Sequence, residues 1–265
     1  MFPSSSITTI GYMNGAIEPS FCIGTAWEMV QRRFGLYVGS CVVMLLIMTF
    51  AGIIPFANLI LDGPMVGGFT YLVLKDLRGD PVEFSMLFHG FKRFVKLMVI
   101  GLVQGIPGII YQVVQLVMTV QDLFRQSATA DPNFFQAEPV NDALGAGWIA
   151  FAPMLIGYFF FSIIWNMVLM FAIPLIVEHD LEILQTIKLS FAAVFNNIGG
   201  MIHLFVLGTL VALLGMIVLC IGLLVAIPVI WAANVIAYKQ VFPLPGETLF
   251  TGPSSKGGIL NLNAD

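Results

Sequence analysis

Charge is scarce in this chain. Of its 265 residues only 10% are Asp, Glu, Lys or Arg, whereas 58% are hydrophobic; an ordinary soluble domain is roughly one quarter charged. A water-soluble fold can bury one uncharged run as a core helix, but not several of about 18 residues or more, so the composition specifies a membrane protein. Cysteine is scarce too. Cys22, Cys41 and Cys220 lie far apart, which excludes a CxxC redox pair or a zinc ribbon and leaves them as small packing residues. There is no Walker loop, no GxSxG elbow and no dinucleotide fingerprint in a βαβ setting. The net charge of −4 comes with no basic tract of the kind that tracks phosphates, so nucleic acid is not an expected partner. Residues 1–22 lack a basic start followed by an apolar core, and no signal peptide is read there.

What the chain does have is apolar runs, near 36–57, 63–75, 97–120, 147–177 and 199–242. As one helix the last would exceed about 60 Å, roughly twice the hydrocarbon thickness of a bilayer. It must turn back, and Gly222 followed by Pro228 marks the break. The expected fold is all-α: a polar segment 1–22, a polytopic membrane bundle over 23–242 and a flexible tail over 243–265. Its six transmembrane spans fall near 36–57, 58–77, 95–121, 147–177, 199–222 and 225–242. With the amino terminus inside, Arg32, Arg33, Lys75, Arg78, Lys92, Arg93, Lys96, Lys188, Lys239 and Lys256 face the cytoplasm and only Arg125 faces out. That bias predicts cytoplasmic termini.

Three segments that precede spans look alike: TAWEMVQRRFGLYVG, EFSMLFHGFKRFVKLMV and ILQTIKLSFAAVFNNIG. Each reads as an amphipathic interfacial helix. Phe84, Leu87, Phe88, Phe91 and Val95 share one helical face in the second, Leu184, Ile187, Phe191 and Val194 in the third, and Trp27, Val30 and Phe34 in the first. Thr25 with Glu28, Asp80 with Glu83, and Asp180 with Glu182 are the expected amino-terminal caps. The unit of interfacial helix plus two spans then occurs three times. Arg32, Arg33, Lys92, Arg93 and Lys96 are its candidate contacts to lipid headgroups.

Ionisable residues deep within spans usually mark transport or catalysis, and this chain is nearly devoid of them, with Asp62, Asp76 and Lys239 at span ends. The third span, VIGLVQGIPGIIYQVVQLV, is unusual in carrying Gln104, Gln112, Gln115 and Pro107. With Asn166 and Asn234 these amides either line a polar cavity beside a broken helix or bond between helices as glue. Gly208, Gly215 and Gly222 recur every seven residues and predict close helix packing. His89, His179, Glu178, Asp180 and Glu182 lack a metal-ligand spacing, and no metal or cofactor is expected.

The stretches FCIGTAWEMVQRRFGLYVG, GPMVGGFTYLVLKDLRGDPVEFSMLFHGFKRF and PLIVEHDLEILQTIKLSFAAVFNNIG together resemble a diffuse family of uncharacterised bacterial polytopic membrane proteins. That family is similar to the membrane domain of some glycerophosphodiester phosphodiesterases. The resemblance covers about residues 20–242 and implies a six-helix fold in a bacterial cytoplasmic (inner) membrane; it carries over no catalytic residue and no phosphodiesterase domain. The expected function is non-enzymatic, structural or accessory: binding other membrane-protein subunits or organising membrane lipids. The alternative is a carrier or flippase-like transporter of a hydrophobic or lipidic small molecule.

Overall fold

The computed structural model describes residues 11–54, 57–128, 155–217 and 221–243. Apart from an isolated bridge at Met13, every regular element among them is helical. In chain order these are α1 (Pro19–Arg32), α2 (Phe34–Ala51), α3 (Ala57–Leu77), a 3-10 helix (Phe84–Arg93), α4 (Phe94–Gln104), α5 (Ile106–Ala128), α6 (residues 155–168), α7 (Ala172–His179), α8 (Ile183–Asn196), α9 (Ile198–Ile217) and α10 (Ile221–Val241). Five helical stretches are long and apolar enough to cross a membrane: α2, α3, Leu155–His179, α9 and Gly222–Val241. A sixth is present if the broken pair Phe84–Gln104 and Ile106–Gln121 counts as one span. The expected residues 147–154 of the fourth span, and the tail beyond 243, lie outside the described residues.

The chain divides into two compact units, one formed by Met1–Leu102 with Val168–Asp265 and the other by Val103–Met167. In the first, α3 lies against the 3-10 helix and α4 along a seam of glycines. A Cβ on Gly63 would overlap Leu97 O, one on Gly68 would overlap Leu87 O, and one on Gly90 would overlap Pro64 O. Gly101 closes the seam, since its Cβ would fall 2.8 Å from Gly63 Cα. Only residues without side chains allow backbones this close. Beside the seam, Leu97, Ile100, Ala172, Ile173 and Ile176 form a buried cluster. Phe69 of α3 meets Tyr37 and Trp231 edge-on, with centroids 6.1 and 5.4 Å away.

The seven-residue glycine spacing is a packing device. Gly215 and Gly222 face each other where α9 meets α10: a Cβ on Gly215 would lie 2.9 Å from Gly222 O. α9 ends at Ile217 and α10 includes Gly222, so Gly222 belongs to the second helix and not to the break expected there. Pro228 lies inside α10, where packing on neighbouring helices tolerates a missing amide.

α1 starts earlier than expected, at Pro19 in the first turn, where a missing N–H costs no hydrogen bond. Thr25 is therefore mid-helix and does not cap. The preceding segment is pinned down: Met13 N donates to Val241 O at 2.8 Å, Ala16 N to Asn197 Oδ1 at 3.0 Å and Glu18 N to Gln240 Oε1 at 2.9 Å. The other two expected caps also fail. Glu83 and Glu182 occupy the N-cap positions without side-chain caps, Asp80 pairs with Lys75 at 2.8 Å, and Asp180 ends α7 in the left-handed conformation with φ 53°.

Two of the three look-alike segments join their following helices through similar backbones. Arg33 links α1 to α2 with φ −127°, ψ 47°, and Asn197 links α8 to α9 with φ −121°, ψ 21°. The middle segment differs in winding as a 3-10 helix, which runs into α4 without an intervening residue. Three residues per turn align Leu87 with Gly90, both buried on the glycine seam, and Phe88 with Phe91, both exposed. Leu87 thus leaves the predicted apolar face, while Phe84 and Val95 remain exposed beside it. Val30 and Val194 are likewise buried, leaving Trp27 and Phe34 on the first stripe and Leu184, Phe191 and Phe195 on the third.

In the second unit, Trp165 Nε1 donates to Val103 O at 2.8 Å and Tyr111 stacks on Tyr158 with centroids 5.0 Å apart. Helical structure is interrupted at Gly105, so Pro107 falls in the first turn of α5, where its ring removes no intrahelical hydrogen bond.

Candidate functional site

Charged side chains of the first unit gather where α1, α3, α7 and α10 carry their last turns and where the 3-10 helix passes into α4. Three arrangements account for them. Asp76, whose side chain is buried, accepts from Tyr37 OH at 2.8 Å and pairs with Arg32 Nη2 at 3.2 Å and Arg33 Nε at 3.3 Å. Two cations and a phenol around one carboxylate satisfy the group that burial would otherwise penalise.

Glu178 is the second centre. It accepts from Tyr238 OH at 2.7 Å and from Lys239 Nζ at 3.0 Å, and it pairs with Arg78. Lys239 therefore does not project into water from a span end as its position suggests.

The third arrangement closes the carboxyl end of α7. Arg93 Nη1 donates to Ile176 O and to Val177 O, the latter at 2.8 Å. Lys96 Nζ donates to Asp180 O at 3.0 Å and to Asp180 Oδ1 at 3.1 Å. The last carbonyls of a helix lack partners within it and carry its negative dipole end, so a guanidinium and an ammonium are the complementary groups. On the neighbouring turn, the hydrogen bond from Lys75 holds the Asp80 carboxyl below the usual carboxylate range.

Between α3 and the 3-10 helix lies a cavity of about 130 Å³, bordered by Tyr71, His89, Lys92, Arg93, Leu97 and Val177. The His89 ring stacks on Tyr71 at 4.3 Å, 5° from parallel, and Lys92 Nζ lies 2.8 Å from His89 Nε2. Each side chain is placed by the seam: Tyr71 follows Gly68 by one α-turn, and His89 immediately precedes Gly90.

The five predicted headgroup residues thus divide into two groups. Arg32 and Arg33 converge on Asp76, with Arg32 still 63% exposed. Arg93 and Lys96 hold α7 while Lys92 stays exposed at the cavity. The amides are placed differently. Gln104, Gln112, Gln115 and Asn166 belong to the second unit and Asn234 to the first. Gln112, Gln115 and Asn166 are exposed; Gln115 Nε2 donates to Tyr111 OH at 2.8 Å and Asn166 Nδ2 to Ser162 O at 2.9 Å, both on their own helices. Sequence reasoning missed Asp76 and the Glu178–Lys239 pair as two buried charge centres. The available signal was that an isolated charge bordering an apolar run needs a partner. Comparison with protein-family models, with curated proteins and with solved structures finds no match to this chain.

Proposed function

We propose that the protein is a non-enzymatic, six-span component of a bacterial cytoplasmic membrane, with cytoplasmic termini. In this role it organises anionic lipid at the inner surface and serves membrane-protein partners as an accessory subunit. The observation that carries this reading is the division of labour within residues 84–96. Phe84, Phe88, Phe91 and Val95 are exposed, Lys92 is exposed beside them, and Arg93 and Lys96 fasten the segment to α7. An apolar stripe with a flanking cation, held against a bundle, suits the boundary between headgroups and acyl chains. The exposed stripes on α1 and α8, and the matching joints at Arg33 and Asn197, support a repeat of interfacial helix plus two spans.

Topology and lipid content test this directly. A cysteine introduced by His89→Cys is expected to react from the inner side and one introduced by Phe135→Cys from the outer; the reverse pattern rejects the orientation. After extraction in mild detergent, the purified protein is expected to carry anionic phospholipid in excess over the surrounding membrane. Recovery without such enrichment rejects the lipid-organising role.

A further inference from the structure

The geometry points to the cavity between α3 and the 3-10 helix as a binding site for the phosphate of an anionic glycerophospholipid, held by Lys92, Arg93 and His89. It rests on the reading that residues 84–96 lie at the membrane surface. The cavity, about 130 Å³, is bordered by one ammonium, one guanidinium, one imidazole and the ring of Tyr71, and no carboxylate lines it among the described residues. Charge of one sign around a small concavity selects an anion. Arg93 is fixed by its bonds to the end of α7 and by its ion pair with Asp180 at 3.6 Å, so that Lys92 is, among the described residues, the uncompensated cation at the cavity, and His89 is fixed by its stack on Tyr71. Two of the three donors therefore need little ordering on binding. Lys92 has His89 as its hydrogen-bond partner, and no carboxylate lies within ion-pair distance of it among the described residues. Its remaining donors suit phosphate oxygens.

The chain itself argues for a lipid as the source of the phosphate. His89 and Lys92 alternate along the 3-10 helix with Phe88 and Phe91, which are exposed. A phosphate in the cavity would thus have its glycerol and acyl chains beside an apolar stripe. Free phosphate would make no use of that stripe.

The test is a native mass-spectrometric titration of the purified full chain with phosphatidylglycerol, phosphatidylcholine and inorganic phosphate, comparing wild type with Lys92→Gln, Lys92→Arg, His89→Gln and, as a control away from the cavity, Lys188→Gln. One saturable phosphatidylglycerol site is expected. Lys92→Gln should weaken it roughly tenfold, the loss of one charge-assisted hydrogen bond, and His89→Gln should also weaken it. Lys92→Arg should retain it and Lys188→Gln should leave it unchanged. Equal losses in Lys92→Gln and Lys188→Gln overturn the cavity as the site while leaving general lipid enrichment intact. Displacement of the lipid by millimolar inorganic phosphate, or equal binding of phosphatidylcholine, overturns its assignment to an anionic lipid. Absence of any anionic-lipid enrichment in the protein as purified instead removes the functional reading on which the site rests.

Discussion

Glu178 and Lys239, 61 positions apart, form an ion pair of 3.0 Å with side chains only 4% and 1% exposed. Charges removed from water this fully hold a fold together only while both remain, because loss of one strands the other in a poor solvent. Glu178→Gln should therefore lower stability by about 3–5 kcal/mol. It also takes the negative charge away from Arg78 and leaves one acceptor oxygen where Arg78 and Tyr238 now use the two oxygens of the carboxylate. Lys239→Met should cost less, since Glu178 keeps those two donors. Thermal unfolding in detergent, followed by loss of the monodisperse fraction, ranks the two variants; equal effects would mean that the bonds to Arg78 and Tyr238 do not matter.

The glycine seam sets a steric limit. Gly68→Ala or Gly90→Ala places a methyl group on the carbonyl oxygen of Leu87 or Pro64, and backbone atoms cannot swing aside as a side-chain tip can. Each should destabilise by at least about 1–3 kcal/mol, the range for overpacking. At Gly24, inside α1, a Cβ would meet nothing within 4 Å, so Gly24→Ala should stabilise by up to about 1 kcal/mol through helix propensity. Parallel melting curves of the three variants test the contrast.

Arg93 tests whether the basic segment holds the carboxyl end of α7. Arg93→Ala takes the side-chain donor from Val177 O and from Ile176 O, the latter keeping the Asp180 N–H at 3.0 Å, and should cost about 1–3 kcal/mol. Arg93→Lys should recover only part, because a point-like ammonium does not reproduce a planar fork. Faster amide hydrogen exchange over residues 172–179 in Arg93→Ala is the expected local signature; unchanged exchange there would sever the link.

Cys22 should resist alkylation. Burial, reinforced by the charge of Glu18, pushes its thiol up to about 12 from an ordinary 9.0. Its Sγ donates to Gln240 Oε1 at 3.3 Å. At pH 8 the folded thiol remains protonated, so maleimide reaction in Cys41→Ser/Cys220→Ser protein should be slow until denaturant is added. The unfolded thiol ionises first as pH rises, so the contribution of this group to stability is complete below about 9 and is lost between there and about 12. Rapid labelling of the folded protein at pH 8 would contradict the burial.

The helical membrane character was legible in uncharged runs, because a bilayer requires length and apolarity and both are local properties. Ends and joints were less so. Thr25 with Glu28 satisfies a capping pattern, yet α1 begins at Pro19 because the preceding segment finds donors and acceptors on Asn197, Gln240 and Val241, far along the chain. Leu87 fits an α-helical apolar stripe with Phe88 and Phe91, but a period of three puts it on the opposite side. The basic residues were legible as a group through their placement between spans. Their partners Asp76, Glu178 and Asp180 lie up to 100 positions away, beyond any local pattern. Gly63, Gly67 and Gly68 stood in plain view in GPMVGG, and small residues at such spacing do signal close helix approach.

The seam those glycines form also has a mechanical meaning. Where side chains interdigitate, a helix can slip by exchanging rotamers. Where the contact is backbone against backbone, as at Gly63, Gly68, Gly90 and Gly101, there is nothing to exchange. The two strips of chain form a welded beam, and the aromatic stripe and the cavity wall ride on it as fixtures. A displacement of the exposed phenylalanines is therefore passed, through Arg93, to the carboxyl end of α7.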